Sequence, residues 1–556
     1  MSVDEREHAR HEAGAEVGVG AGADTSAPEP KIRDIEDRPL HEIISIAAPT
    51  VVTMTSYTLM QFIDALMVSR IGPEPVYVAA QGNGGVVAWF PMAGILGLTG
   101  VVNTFVSQHL GAGRPEAGAA YAWNALWLSV AAWILVMVPI AIFSPDIFSG
   151  MAWVIETAGG GAVESANAEL QMPLQVSYAR IILLGGVFTI CGRAVGHYFY
   201  GIHRPLVVMI AALAGNIGNV LANTVLIFGE AGWPADAETQ PVLGALSSAA
   251  SSVAAFLNVP AMGVAGAGWG TVAGSAIEFV IPMAVFLSPA FVRKFGTLKR
   301  VRPSMGPLRD LMRVGWPAGA MFANEVLCWM YLLTVLIPAA GVRAGDDQAV
   351  HNTAGWVGLR YMHLSFMPAV GVSIAMTAIV GKCMGMRRAD LAASRTWLGL
   401  RIALAYMGTC ALVFFFFRAD LVGFLAPETM TDAERARLIA VGSSVMIAAA
   451  VFQVFDALAI VLSGALRGAG DTVWPGVATI VLSWTCIVGG GHALIAFAPD
   501  LGSVGPWIGA SSFITLLGLS LLWRFVAGGW RSIELVRSED QEGVRSGVDE
   551  PGSDAA

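Results

Sequence analysis

An all-α polytopic membrane protein, with twelve transmembrane helices in two pseudo-symmetric six-helix lobes, is the fold class that three observations predict. Long apolar segments recur from residue 43 to residue 526 of a 556-residue chain that is 55% hydrophobic, with mean hydropathy +0.64. Only 13% of the residues are charged, about half the share in a soluble globular domain. The second half of the apolar region also repeats part of the first. The short alternating segments of a transmembrane barrel are not seen, and 64 glycines with 27 prolines suit close helix packing and broken helices.

Taken in order, apolar runs of about 20 residues or more place the first six spans at 43–69, 81–108, 121–143, 172–192, 205–228 and 262–288. The other six fall at 308–339, 353–380, 395–417, 440–466, 474–498 and 503–526. The stretch 241–259 is apolar enough for a short surface or re-entrant helix, but counting it as a span would spoil the charge pattern. The link from Ser288 to Trp316 holds seven basic residues: Arg293, Lys294, Lys299, Arg300, Arg302, Arg309 and Arg313. By the positive-inside rule this link is cytoplasmic. The links at 109–120, 193–204 and 381–394, with Arg114, Arg193, Arg204, Lys382, Arg387 and Arg388, belong on its side. The links at 144–171 and 229–260 hold Asp146, Glu156, Glu164, Glu169, Glu230, Asp236 and Glu238 without a Lys or Arg, and should be external. The 418–439 link departs from the rule with three arginines among four acids. An even number of spans puts both termini in the cytoplasm.

At a constant offset of 274, GLTGVVNTFVSQHLGAGRPE (97–116) matches GVSIAMTAIVGKCMGMRRAD (371–390), aligning Gly97 with Gly371, Gly111 with Gly385 and Arg114 with Arg388. An even number of spans per half makes this a parallel duplication. The expected organisation is therefore a disordered cytoplasmic N-terminus (1–40), an N-lobe (41–288) and a basic cytoplasmic linker (289–307). A C-lobe (308–526) and a disordered cytoplasmic tail (527–556) follow.

Several function classes drop out. A net charge of −9 offers no basic groove to nucleic acid. Five dispersed cysteines read as small buried hydrophobes rather than disulfides or a metal cluster. The first 40 residues have no basic n-region or apolar h-region, so the first span is expected to target the chain. There is no phosphate-binding Gly-Lys-Ser/Thr loop, so the energy should come from an ion gradient.

Three spans carry an acid near the middle: Asp64, Glu325 and Asp456. An intramembrane carboxylate costs several kcal/mol and is seldom kept without a role. It can hold a proton, a sodium ion or a cationic substrate, which is what antiport requires; the plain alternative is a hydrogen bond that fixes packing. Asn219 and Asn223 lie one turn apart on one helical face and could line a cavity or simply join helices. Asn324, beside Glu325, and Gln453, one turn before Asp456, are candidates for the C-lobe shell.

These segments resemble the multidrug and toxic compound extrusion family, in its NorM-like branch. The first span, PTVVTMTSYTLMQFIDALMVSRIG, is similar to the family's first helix in its early Pro and its Phe-x-Asp before a closing Gly. FPMAGILGLTGVVNTFVSQHLGAGRPE, GIHRPLVVMIAALAGNIGNVLANTVLIFG and MGVAGAGWGT resemble the loop after helix two, helix five and the start of helix six. VGWPAGAMFANEV, FMPAVGVSIAMTAIVGKCMG and FQVFDALAIVLSGALRGAGDT resemble helices seven, eight and ten. The resemblance covers about residues 40–525. It implies export of organic, cationic or amphipathic compounds in exchange for sodium ions or protons, with Asp64 functional in the N-lobe and Glu325 and Asp456 in the C-lobe. The last two would form a possible sodium site. Asn219 and Asn223 match an N-lobe pair whose second member is usually Asp in the archaeal and DinF-like branch, and Thr271 matches a threonine near that site. Phe452 stands where some relatives have Tyr.

The expected function is thus secondary active antiport rather than catalysis. The expected partners are small organic cations or amphipathic compounds, Na+ or H+, and membrane lipids, with no cofactor and no nucleic acid. A bacterial inner-membrane monomer is the expected form. A flippase or specific exporter of lipid-linked or metabolite substrates on the same scaffold is the alternative, and it would call for a wide cationic cavity.

Overall fold

The computed structural model describes residues 38–72, 76–157, 168–233, 241–345, 348–426 and 430–536. From Ile43 onward the chain forms one compact unit. Of the residues before it, 38–42 are described, as the entry to the first helix. Among the described residues, twelve helices are long and apolar enough to cross a membrane. The first six are α1 (Pro39–Val68), α2 (Val76–Gly111), α3 (Pro115–Ile142), α4 (Leu170–Gly201), α5 (Pro205–Ala231) and α6 (Val264–Leu287). The remaining six are α7 (Met305–Arg343), α8 (Val350–Gly385), α9 (Ala389–Phe416), α10 (Asp432–Ala469), α11 (Val473–Phe497) and α12 (Val504–Ala527).

Every expected span is present, but several run past their apolar core. The fourth continues from the expected end at 192 to Gly201, because nothing breaks the helix before the Gly201-Ile202-His203-Arg204-Pro205 turn, where His203 takes a φ of 60°. The tenth begins eight residues early, where Thr431 and Glu434 close a reciprocal capping box. Pro139 and Pro338 each follow a π-helical turn, Trp133–Met137 and Leu332–Leu336, which widens the backbone ahead of the proline ring. The 241–259 stretch forms the short helix Pro241–Leu257.

The linker contains its own helix, Pro289–Phe295, and the seventh span starts at Met305 rather than 308. The tail expected to be disordered from 527 is packed as far as residue 536. Gly529–Ser532 makes a 3-10 turn, with Trp530 fully buried and stacked on Phe525. The disorder expected of 1–37 and of the tail beyond 536 lies outside the described residues, as do Glu164, Asp236 and Glu238 and the side chains of Glu156 and Glu169.

The two lobes pack around separate cores that exchange helix ends. Ile43, Ile46 and Ala47, at the start of α1, join the core of the second lobe. Leu311 and Val314, at the start of α7, join the core of the first. The repeat is equally visible where α2 crosses α8. A Cβ on Gly111 would collide with the Lys382 carbonyl, and one on Gly385 with that of Gln108, so each glycine admits the other lobe's backbone.

Hydrogen bonds seal the crossing. Thr50 Oγ1 lies 2.8 Å from Gly371 O, and Asn103 Nδ2 donates to Ile374 O at 3.1 Å. Thr104 Oγ1 donates to Arg467 O at 2.9 Å and Gln108 Nε2 to Gly468 O at 3.0 Å. His203 Nε2 is 3.2 Å from Ala378 O. All of these lie in the half of the bundle nearer the 288–305 link, hereafter the linker end.

Candidate functional site

Asp64, on α1, is 5% exposed and is met by two amide donors from α5, with a hydroxyl of α6 nearby. Asn223 Nδ2 donates to its Oδ1 at 2.6 Å, and Asn219 Nδ2 approaches its Oδ2 at 3.5 Å. Asn223 Nδ2 also reaches Asn219 Oδ1 at 3.3 Å, so both amide hydrogens of Asn223 are engaged. Thr271 Oγ1 lies 3.5 Å from Asp64 Oδ2 but 3.0 Å from Ala267 O. A hydroxyl has one hydrogen, and the shorter contact takes it. Thr271 can then accept a proton carried by Asp64. Asp64, Asn219, Asn223 and Thr271 are thus brought together around a carboxyl that can be solvated when ionised and hydrogen-bonded when neutral.

Two glycines on α6 make this contact possible. A Cβ at Gly270 would collide with Asn223 Oδ1, and one at Gly274 would sit 2.8 Å from Asn219 Cβ. Both asparagines are fully buried against that surface, and Asn223 Oδ1 has no hydrogen-bond partner there.

The C-lobe is different. Asp456 on α10 is also 5% exposed, yet among the described residues no donor reaches it. Glu325 on α7 is half-buried and within electrostatic reach of both Asp456 and Arg467. Gln453 donates to Ser365 Oγ at 2.8 Å, leaving its buried Oε1 with no partner. Asn324 does not join this shell as expected. Its Nδ2 donates to Ser483 Oγ at 2.8 Å, and its Oδ1 accepts Trp484 Nε1 at 2.8 Å. Neighbouring residues of a helix point about 100° apart, so beside Glu325 in sequence is not beside it in space. Asn324 ties α7 to α11 instead.

Sequence reasoning missed a second polar cluster in the first lobe. The Tyr57 hydroxyl donates to Glu278 Oε1, Arg193 Nε lies 3.6 Å from the same oxygen, and the Arg193 guanidinium sits 3.8 Å above the Tyr57 ring. Tyr57 precedes Asp64 by two turns on α1, and Glu278 follows Thr271 by two turns on α6. The antiparallel pair therefore carries two polar levels. Arg193 was hidden because the fourth span was ended at 192, which put it in a link. Glu278 was the available signal, a lone acid inside the apolar sixth span.

The MatE family model matches residues 49–225 and 321–489, well over half of the chain and parts of both lobes. The chain belongs to the MatE family. Within it, the chain falls in the NorM-like branch. It is 27% identical over 503 residues to a probable multidrug resistance protein NorM of Deinococcus radiodurans, covering 90% of this chain and 98% of the relative. It is 25% identical over 514 residues to the multidrug resistance protein PmpM of Pseudomonas aeruginosa, covering 90% and 95%.

Among solved structures, an outward-facing multidrug resistance MATE transporter of the MOP superfamily matches with TM-score 0.70 at 20% identity, covering 89% of this chain and 97% of that one. A MOP superfamily transporter from Pyrococcus furiosus, described by the reverse polarity of its binding pocket, matches with TM-score 0.71 at 19% identity, covering 89% and 97%. These two show the fold: twelve helices in two six-helix lobes. This MatE chain is a multi-pass protein of the bacterial inner membrane, and a secondary active transporter of small organic compounds rather than an enzyme.

Proposed function

We propose that this protein exports organic cations or amphipathic compounds across the inner membrane in exchange for Na+ or H+, working as a monomer by alternating access. The observation that carries the reading is the pair of buried acids Asp456 and Asp64, one per lobe, on helices that the membrane surrounds. An ionised carboxyl with no donor, as at Asp456, has to be neutralised by a proton or a cation. One exchangeable positive charge at that carboxyl is the requirement for antiport. Sodium would take the Glu325 and Asp456 carboxylates together with the unpartnered Gln453 Oε1, all oxygen ligands suited to a hard cation. Protons would suit the Asp64, Asn219, Asn223 and Thr271 group in either protonation state.

The basic 288–305 link supports placing the linker end and both termini in the cytoplasm. The seal between the lobes at the linker end then supports an outward-facing conformation closed to the cytoplasm. The lobe boundaries 41–288 and 308–526 serve as the rocking units.

The test is efflux of a fluorescent organic cation from reconstituted vesicles under separate sodium and proton gradients. Sodium-driven export that Asp456→Asn abolishes places coupling in the C-lobe. Proton-driven export that survives Asp456→Asn but fails in Asp64→Asn places it in the N-lobe. Export under neither gradient would sink the antiporter reading and leave a flippase.

A further inference from the structure

Glu325 is half-buried, and among the described residues neither a hydrogen bond nor an ion pair holds its carboxyl. The reach of that carboxyl is therefore set by the rotation of α7 about its own axis. A side chain ends about 5–6 Å from the axis of its helix, so a rotation of about 20° sweeps it through about 2 Å. A binding constellation tolerates only about 0.5 Å.

Asn324, the residue before it, is held at both ends of its amide. Trp484 Nε1 of α11 donates to Asn324 Oδ1 at 2.8 Å, and an indole nitrogen can only donate, so the acceptor end of the amide is fixed there. At the other end, Nδ2 donates to Ser483 Oγ at 2.8 Å, and the Ser483 hydroxyl gives its own hydrogen to Ile480 O at 3.0 Å. One arrangement satisfies all three groups. Seven residues on, and so on the same face of α7, the Tyr331 hydroxyl lies 2.8 Å from His492 Nε2.

The two ties stand about 10.5 Å apart along α7. On α11 the same climb runs from Ser483 to His492, which would rise about 13.5 Å as an α-helix. Ser483–Gly490 is instead π-helical, with more residues in each turn, and both ties fit. Just beyond Tyr331, α7 widens into its own π turn at Leu332–Leu336. The clamped stretch ends where the regular helix ends.

We propose that Asn324 is a positioning residue: gripped by Ser483 and Trp484, it fixes the rotation of α7 and so presents the Glu325 carboxyl to the coupling ion. This rests on the antiporter reading, in which Glu325 takes that ion. Neighbouring side chains point about 100° apart, so α11 holds one flank of α7 while Glu325 projects from the next. Asn324 touches neither ion nor substrate.

The experiment follows the melting temperature of purified protein while sodium is titrated at fixed pH, and while pH is titrated without sodium. An ion that binds the folded state raises the melting temperature by mass action. The concentration at which the rise begins reads affinity, whereas the value without ion reads packing. The part of either titration that Glu325→Gln removes belongs to Glu325. Asn324→Leu and Trp484→Phe, which loses the indole N–H, should shift the onset of that part by about fivefold or more in ion concentration. Ser483→Ala should do the same, and Ser483→Thr, which keeps the hydroxyl, should return the wild-type onset. Where N324L fails to fold, the Trp484 and Ser483 variants decide. Combined with E325Q, none of them should alter the ion titration further. A lower melting temperature without ion and an unmoved onset would reduce Asn324 to helix packing and overturn the proposal, with antiport left standing. If E325Q removes no part of either titration, Glu325 takes no coupling ion, and that part of the antiporter reading fails together with this one.

Discussion

Asn223 of α5 places its amide 2.6 Å from Asp64 Oδ1 on α1, whereas Asp456 of α10, equally buried, receives no donor from any described residue. The two lobes of a duplicated protein thus treat their acids oppositely. One carboxylate is solvated by the protein, and the other is left to whatever cation arrives.

Asn223→Ala removes that donor and leaves Asp64 Oδ1 buried without a partner, an expected loss of about 1–3 kcal/mol. The loss applies to the ionised carboxylate, so it should shrink as pH falls and Asp64 takes up a proton. Thermal melting of wild type and variant across a pH series checks this. A pH-independent difference would mean that Asn223 acts through packing alone.

Gly270→Ala drives a Cβ into Asn223 Oδ1, between two helices that cannot separate without unpacking Asn219 from Gly274. An overpacking cost of about 1–3 kcal/mol is expected, with loss of transport. Gly82→Ala on α2, whose Cβ would meet nothing within 4 Å, is the control and should behave as wild type in both assays.

Glu278→Gln removes the carboxylate 3.6 Å from the half-buried Arg193 guanidinium. Breaking a fully buried pair costs about 3–5 kcal/mol because the surviving charge is uncompensated, and this partly exposed pair should cost less. The double variant E278Q/R193Q should recover most of the lost melting temperature. If the two losses simply add, the residues do not act as a pair.

His203, in the turn between α4 and α5, is held well below the usual histidine range, at about 3, by burial and then by the nearby Lys382 charge, with the Ala378 carbonyl opposing. The folded state therefore keeps it neutral while the unfolded chain takes up a proton below about 6.5. Its effect is to lower stability as pH falls from about 6.5 towards 3, and to leave it unaffected above that window. His203→Asn, which tolerates the left-handed backbone, should flatten the fall of melting temperature across that window. An identical slope in wild type and variant would refute the buried-neutral assignment.

How much was legible from residue order differs between fold and site. Spans could be read because hydropathy adds along the chain. Their ends could not, because polar turns such as Arg193 to Gly201 stay helical until a Gly or Pro stops them. Asp64 with Asn219, Asn223 and Thr271 was legible because helical spacing and the family resemblance both pointed there. Asn324 was placed by adjacency to Glu325, and adjacency on a helix means divergence. Glu278 was overlooked as one acid in an apolar run, and its partner Arg193 was set outside the membrane.

By itself the sequence determined that this is a twelve-span duplicated transporter with an acid in the first, seventh and tenth helices. These are properties of composition and period within single helices. Only the tertiary structure decided which acid is satisfied, that Arg193 meets Glu278, and that Gly111 and Gly385 admit each other's helices. Such pairings depend on the rotation and approach of helices far apart in the chain, and no local period records that.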